Sequence, residues 1–322
     1  MEKDMLAEAG IPWDQVTDVT PLDGGTFNAV SRVTLADGQR LILKAAPDVP
    51  MLTYEHGILR TEALFYELAG PDRQLPAVVH KGFDDHNGAS DFLLMTELPG
   101  RPWPAVADRI DDDQRQRLRG ELGRIVARLH TMTGTGFGYP TNPLTASWRT
   151  AFGDMLDVIL TEAEQFEVVL PRTPAAIREL AAAHASVLDE VTTPVLVHYD
   201  LWDGNILIDF DGETPRIGGI IDAERAFWGD PLADFVSLAL VADIRSDQAF
   251  LTAYGEAGGP ARLDASSRIR LALYKSYLYL IMLVEAVPRG YGDDTRQWLD
   301  GRVAPALATE LDVLEFPPNT DG

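Results

Sequence analysis

Hydrophobic and polar positions change period along this chain, and the change separates a strand-rich beginning from a helical remainder. Val30 to Leu35 alternates apolar and polar side chains, meets the turn sequence Ala36-Asp37-Gly38-Gln39, and resumes as Arg40 to Lys44, which predicts a β-hairpin. From Leu59 to Ala69 apolar residues recur at helical spacing until Gly70-Pro71 ends the run, predicting a helix. Val78 to His80 and Asp91 to Leu98 read as two further strands, the second closed by Pro99-Gly100. Beyond Pro104 the period becomes helical. A helix is expected from Asp111 to about Met132, with Asp111, Asp112 and Asp113 at its N-terminus, where the helix dipole favours carboxylates. Ala146 to Val169 and Pro174 to Val191 read as two more helices. Val195 to His198 is a short apolar strand, Tyr199 to Gly204 a loop, and Ile206 to Ile208 with Ile217 to Ile221 a small hairpin around Asp211-Gly212. From Pro231 onward the chain reads as helical. Its most apolar stretch, Leu271 to Val287, carries Lys275 and Glu285 and is too short to span a bilayer, so a buried helix is expected there.

The 322 residues suggest two domains, and the change of period near Leu98 to Gly100 divides them into 1–97 and 98–322. The division implies an α+β protein with a small β-rich lobe and a larger α-rich one. With 46% apolar and 24% charged residues, the composition is that of an ordinary globular protein. Charge narrows the partners. Asp and Glu total 50 against 27 Lys and Arg, a net charge of −23 that repels nucleic-acid backbones and anionic membranes and welcomes a cationic small molecule. Solubility alone accounts for such acidity equally well. Cysteine is absent, which excludes disulfides, zinc–thiolate sites and thiol nucleophiles. Met1 to Trp13 carries Glu2, Asp4 and Glu8 and no apolar secretory core, so a cytoplasmic protein is expected.

Three segments carry candidate chemistry. His198-Tyr199-Asp200-Leu201-Trp202-Asp203-Gly204-Asn205 precedes Ile220-Ile221-Asp222 by one hairpin. Asn205 and Asp222 supply hard oxygen ligands suited to Mg²⁺, and Asp200 can accept a hydrogen bond from an incoming hydroxyl. The same loop residues are also ordinary turn formers. His198 reads as a residue that holds the loop. Lys44 closes an apolar strand, either as an edge-strand gatekeeper or as a cation aimed at phosphates. Glu62 lies on the following helix and is preferred over Glu55 as its partner. Gly24-Gly25-Thr26-Phe27-Asn28 is a weak signal alone, but it stands just upstream of the strand pair ending in Lys44, where its backbone N–H groups could cover a triphosphate.

Together these segments resemble the aminoglycoside phosphotransferase family, a choline-kinase-like branch of the protein-kinase-like fold. HYDLWDGN resembles its HxDxxxxN catalytic loop, IIDAERAFWGDPLADF its metal-binding aspartate segment, GGTFN its GGxxN loop, and LILK with Glu62 its nucleotide Lys–Glu pair. LGRIVARLH (Leu122 to His130) and MTELPG (Met95 to Gly100) match a usual family helix and the hinge, so the resemblance runs in order from about residue 20 to about 290. It implies a bilobal kinase-like fold, with ATP or GTP as donor and Mg²⁺ as cofactor. It implies Asp200 as catalytic base and Asn205 and Asp222 as metal ligands. Lys44, Glu62, Gly24, Gly25, Thr26 and Asn28 would serve the phosphates, and the backbone of Thr96, Glu97 and Leu98 the base. His198, Asp203, Asp230 and Asp234 would support the loop. Tyr199 stands where the family commonly has Gly, so altered packing without loss of activity is expected. Glu224 either lends a supporting carboxylate behind the metal aspartate or is solvated, and the solvated reading is preferred.

The resemblance therefore implies phosphorylation of a small-molecule hydroxyl, with an antibiotic as the leading acceptor. That acceptor would be aminoglycoside-like, a cationic peptide, or a nucleoside or glycoside, and the role resistance or self-protection. Asp111 to Asp113, Glu162, Glu164 and Glu167 fit a polyamine, whereas Trp148, Trp202 and Trp228 fit an uncharged glycoside or nucleoside, the first of them as core. The alternatives are a metabolic kinase of fructosamine, choline or homoserine type and a catalytically silent kinase-like module. The short run from Asp222 to Pro231 leaves no room for a long activation loop, which disfavours regulation by phosphorylation and a protein substrate.

Overall fold

The computed structural model describes residues 1–22, 28–46, 51–70, 74–83 and 91–316. These divide into two compact units. The first comprises Met1–Val49, Tyr54–Leu118 and Asp203–Arg225, and the second Pro50–Thr53, Arg119–Trp202 and Ala226–Gly322.

The first unit is built on an antiparallel sheet of β1 (Val16–Pro21), β2 (Ala29–Leu35), β3 (Arg40–Ala45), β4 (Val78–Gly82) and β5 (Phe92–Thr96), in the order β1-β2-β3-β5-β4. The predicted hairpin is β2–β3, and Gly38 turns it with a φ of 86°, a left-handed conformation that glycine adopts without strain. Alternation along β3 sends Leu41, Leu43 and Ala45 into a core with Leu6, Val33, Phe92 and Leu94, leaving Lys44 on the opposite face. Leu6 comes from α1 (Glu2–Glu8), a short helix with no apolar repeat to announce it. The helix after β3 is α2 (Ile58–Ala69), whose Leu59, Glu62, Ala63 and Tyr66 are buried at helical spacing. A second sheet of β6 (Arg101–Pro102), β8 (Ile206–Asp211) and β9 (Thr214–Ile220) contains the hairpin predicted near Asp211-Gly212.

The second unit is mainly helical and includes the greater part of α3 (Asp112–Leu129). Asp111 caps α3 reciprocally with Gln114, its carboxylate accepting the Gln114 N–H at 2.7 Å while Gln114 Oε1 accepts its own at 3.1 Å. There follow α4 (Trp148–Gln165), α5 (Pro174–His184), α6 (Asp234–Leu238), α7 (Gln248–Glu256), α8 (Ala265–Glu285), α9 (Asp293–Trp298) and α10 (Ala304–Glu315). β7 (Val195–Val197) pairs with β10 (Phe227–Gly229). The helix expected to Val191 ends at His184 and continues as a 3-10 turn, Ala185–Glu190. Gly123 lets α3 meet α7 closely, because a Cβ there would lie 2.5 Å from the Phe250 carbonyl oxygen. No helix among the described residues is long and apolar enough to cross a membrane.

Candidate active site

In the first unit, Lys44 projects from β3 toward α2 and is 7% exposed. Its ammonium donates to both oxygens of Glu62 at 2.8 Å and to Asp222 Oδ1 at 2.5 Å. The edge-strand alternative therefore falls: β3 lies between β2 and β5, and Lys44 is an internal cation paired with Glu62. Burial alone would lower its pKa, but the carboxylates of Asp222, Glu62 and Glu224 outweigh that effect and raise it, keeping the ammonium charged. Burial raises the Glu62 carboxyl against the pull of Lys44.

Tyr66, one helical turn after Glu62, completes this corner. Its hydroxyl donates to Glu62 Oε1 at 2.9 Å and accepts the backbone N–H of Asp222 at 2.9 Å, joining α2 to the segment after β9. Burial first, then the charges of Glu62 and Asp222, raise its pKa well above the ordinary phenol value, so it remains a donor. The i, i+4 spacing from Glu62 is the signal that could have identified it. Asp222 has a φ of 69°, a left-handed conformation that aspartate tolerates better than most residues. Asn205 closes the 3-10 turn Asp203–Asn205, and its carbonyl accepts the N–H of Ile221, so both expected metal ligands lie on adjoining backbone.

Glu224 overturns an expectation. It is 8% exposed rather than solvated, and its Oε2 accepts a hydrogen bond from Asn28 Nδ2 at 2.6 Å. Burial and then the neighbouring Asp222 charge push its pKa well up. Asn28 is thus at the site, while Gly24, Gly25 and Thr26 lie outside the described residues. In the hinge, the Thr96 N–H donates to the Ala77 carbonyl and the Glu97 N–H to the Arg40 carbonyl, and the Glu97 carboxylate takes Arg32 at 2.6 Å. The Leu98 side chain packs over Gly219.

In the second unit, Asp234 at the start of α6 organises the loop that carries Asp200. Its Oδ1 accepts the Tyr199 N–H at 2.6 Å, and its Oδ2 accepts the His198 N–H at 3.2 Å and meets His130 Nε2 at 2.8 Å. Ser237 Oγ accepts the Leu201 N–H at 2.9 Å. The Asp200 N–H donates to His198 Nδ1 at 3.2 Å, so fully buried His198 holds the loop from within. Tyr199 has a φ of 63°, an outlier for a bulky residue. Its ring is fully buried and its hydroxyl donates to the Tyr274 carbonyl at 2.7 Å, so it both packs and anchors. Asp230 takes Arg270 at 2.7 Å and the Tyr274 hydroxyl at 2.8 Å. His130, Ser237 and Tyr274 were not singled out as loop supports; only the helix match ending in His130 pointed that way.

Three of the six acids expected to suit a polyamine have other duties. Asp111 caps α3, Glu164 pairs with Arg178 at 2.7 Å, and buried Glu162 accepts the Thr53 N–H at 2.6 Å. Trp148 and Trp228 are buried, whereas Trp202 is 43% exposed.

The sequence model of the phosphotransferase enzyme family, APH, matches residues 18–270. The probable ketoamine kinase of Lactiplantibacillus plantarum is 25% identical over 304 residues, covering 88% of this chain and 94% of that protein. A probable ketoamine kinase of Enterococcus faecium is 24% identical over 295 residues, with the same coverage. Among solved structures, a protein assigned as a fructosamine-3-kinase from Thermobifida fusca has a TM-score of 0.64 at 23% identity, covering 91% of this chain and 94% of that one. A thermostable mutant of the aminoglycoside phosphotransferase APH(4)-Ia, in complex with ADP and hygromycin B, has a TM-score of 0.62 at 18% identity, covering 96% and 98%. A match from β1 into α8 is too long to reflect one shared motif: the chain belongs to the phosphotransferase enzyme family, has its kinase-like α+β fold, and is a small-molecule O-phosphotransferase.

Proposed function

We propose that this enzyme moves the γ-phosphate of ATP or GTP to a hydroxyl of a ketoamine, a sugar-derived amino ketone, in a Mg²⁺-dependent reaction. The observation that carries the phosphotransfer reading is the Lys44 ammonium lodged between Glu62 and Asp222. A buried cation fixed by two carboxylates is a preorganised electrostatic contact for phosphate oxygens. Asp200 orients the acceptor hydroxyl and takes its proton, on a loop whose backbone amides are spent on Asp234, Ser237 and His198. Asn28 and the Gly24, Gly25 and Thr26 backbone cover the phosphates. With the Thr96 and Glu97 amides donating inside the sheet, recognition of the base falls to the carbonyls of this stretch and to Leu98. Asn205 and Asp222 would hold Mg²⁺; their oxygens are the hard donors it takes, and the bound ion supplies neutralisation of phosphate charge. Nucleotide handling is assigned to 1–97 and catalysis with acceptor binding to 98–322, in a protein working in the cytoplasm.

The ketoamine acceptor is supported by the L. plantarum and E. faecium relatives, which match 88% of the chain, and by the structural duties of Asp111, Glu162 and Glu164, three of the acids that would otherwise meet a polycation. The net charge of −23 favours a second reading, a cationic antibiotic acceptor. Labelled nucleotide offered with fructosyl-amino acids and with aminoglycosides separates them. Transfer to the former and not the latter is expected. Transfer only to aminoglycosides replaces the acceptor, and transfer to neither, with nucleotide bound, supports a silent module.

A further inference from the structure

We propose that a cavity among α8, α10 and the segment after α6 holds the amino-acid end of the acceptor, taking its carboxylate at Arg268 and its ammonium at Glu310. The inference rests on the ketoamine reading for the sugar half of the ligand and on the cavity for the rest. The cavity measures about 660 Å³, ample for a small-molecule ligand. Leu271, Lys275 and Tyr279 line it from successive turns of α8, Ala306 and Glu310 from α10, and Val241 from the segment after α6. Two of these walls also hold the loop that carries Asp200. Ser237 Oγ, four residues before Val241, accepts the Leu201 N–H, and the carbonyl of Tyr274, next to Lys275, accepts the Tyr199 hydroxyl. The elements that fix the two neighbours of Asp200 therefore continue directly into the cavity wall.

Charge in the cavity departs from that of the whole chain. Three cations, Arg245, Arg268 and Lys275, meet three acids, Asp243, Asp264 and Glu310, so the lining is neutral in a chain of net charge −23. A carboxylate repelled elsewhere on the molecule is tolerated here. Arg245 and Asp264 are occupied, the first pairing with Asp243 at 2.7 Å and the second capping α8 by accepting the Ser267 N–H at 2.9 Å. Arg268 is exposed and has no ion-pair or hydrogen-bond partner among the described residues. Lys275 and Glu310 form a largely buried pair at 2.9 Å through Glu310 Oε1, and Oε2 has no partner among the described residues. An amino-acid zwitterion supplies what these groups lack, a carboxylate for the guanidinium fork and an N–H donor for the free oxygen.

Tyr279 supplies an independent observation. It is buried, and its hydroxyl accepts the Val241 N–H at 3.2 Å, yet its own proton meets no acceptor among the described residues. Buried donors are rarely left so. Burial first, then the Glu310 charge, push its pKa up to about 12, so the phenol keeps that proton and can give it to a sugar oxygen. Val241 itself has a φ of 52°, an outlier for a β-branched residue, and strain of this kind gathers where a wall is shaped for a ligand.

Calorimetric titration of fructosyl-glycine into the full chain, with and without ADP, tests the cavity. One molecule is expected to bind per wild-type chain. Fructosyl-ethylamine keeps the sugar and the amine but lacks the carboxylate. At high salt, where the net charge of the chain no longer favours this cationic analogue, it should bind about tenfold or more weakly, the scale of a hydrogen bond to a charged group. Arg268→Ala should weaken fructosyl-glycine by a similar factor and leave fructosyl-ethylamine unchanged. Arg268 is exposed, so this variant keeps its fold. Ala306→Phe fills the cavity without changing charge and should weaken both ligands. Fructosyl-glycine that does not bind wild type, or binds both variants as it binds wild type, overturns the proposal. So does an equal loss of both ligands in Arg268→Ala, which marks a field effect rather than a carboxylate contact. Phosphoryl transfer measured in parallel keeps the two readings apart. Transfer to fructosyl-glycine with an unchanged KM in both variants removes the cavity and leaves the ketoamine kinase. Binding that responds to both variants without any transfer keeps the cavity and removes the kinase assignment.

Discussion

At Lys44 two carboxylates, Glu62 and Asp222, meet a single ammonium, and removing that ammonium has two separable effects. Lys44→Met leaves Glu62 buried against Asp222 with no cation between them, and breaking a buried pair in this way costs about 3–5 kcal/mol. Urea unfolding should register that loss, and nucleotide titration should show weakened binding even under conditions where the variant is folded. Unchanged stability would mean the ammonium is not held as tightly as its contacts imply. Asp200 is a different kind of residue. The hydrogen bonds around it hold the backbone on either side of its carboxylate, so Asp200→Ala should spare the fold. Turnover should fall by about 10²–10⁴, the usual contribution of a general base, while nucleotide binding persists. Near-normal turnover would remove Asp200 from the chemistry.

The loop that carries Asp200 is a joint product of several elements, and Asp234 shows how. One carboxylate at the head of α6 receives two loop amides and the His130 ring from the end of α3. Asp234→Asn keeps the volume but replaces one acceptor oxygen with a donor, so a loop amide or the His130 ring is left opposite an N–H. The left-handed Tyr199 backbone then loses its restraint, and kcat should drop about tenfold or more with KM for nucleotide little changed. Equal loss in both parameters would place Asp234 in binding. Gly123 is the corresponding control for packing: Gly123→Ala drives a methyl into the Phe250 carbonyl and should cost about 1–3 kcal/mol by denaturant melt without altering the pH profile of kcat. These elements also mark what could be read from the residues. The β2–β3 hairpin and α2 were legible because their apolar periods are strict and their ends carry Gly. α1, β6 and β10 were not, since elements of seven, two and three residues are too short to show a period. The pairing of Lys44 with Glu62 followed from the helical pattern of α2. Burial of Glu224 did not, because its partner Asn28 lies 196 residues away and only the folded chain brings them together.

At the scale of the whole molecule, the excess of acid acts through space rather than through contacts. A net charge of −23 attracts any polycation, whether or not an acceptor pocket fits it, so binding of an aminoglycoside would by itself say little about the substrate. Salt separates the two contributions, because the Debye length shrinks from about 30 Å at 0.01 M to about 3 Å at 1 M while contacts made within a desolvated pocket are screened far less. Several acids proposed for a cationic acceptor are occupied in capping α3, pairing Arg178 or holding Thr53. Attraction of an aminoglycoside should therefore be mostly long-range and should largely vanish between low and high salt. For a fructosyl-amino acid without net charge, kcat/KM should stay within about twofold over the same range, because its recognition depends little on the distant field. Steady-state kinetics at the two salt levels decides between them. An aminoglycoside that keeps its kcat/KM at high salt would reveal a built cationic pocket and restore the antibiotic as the acceptor.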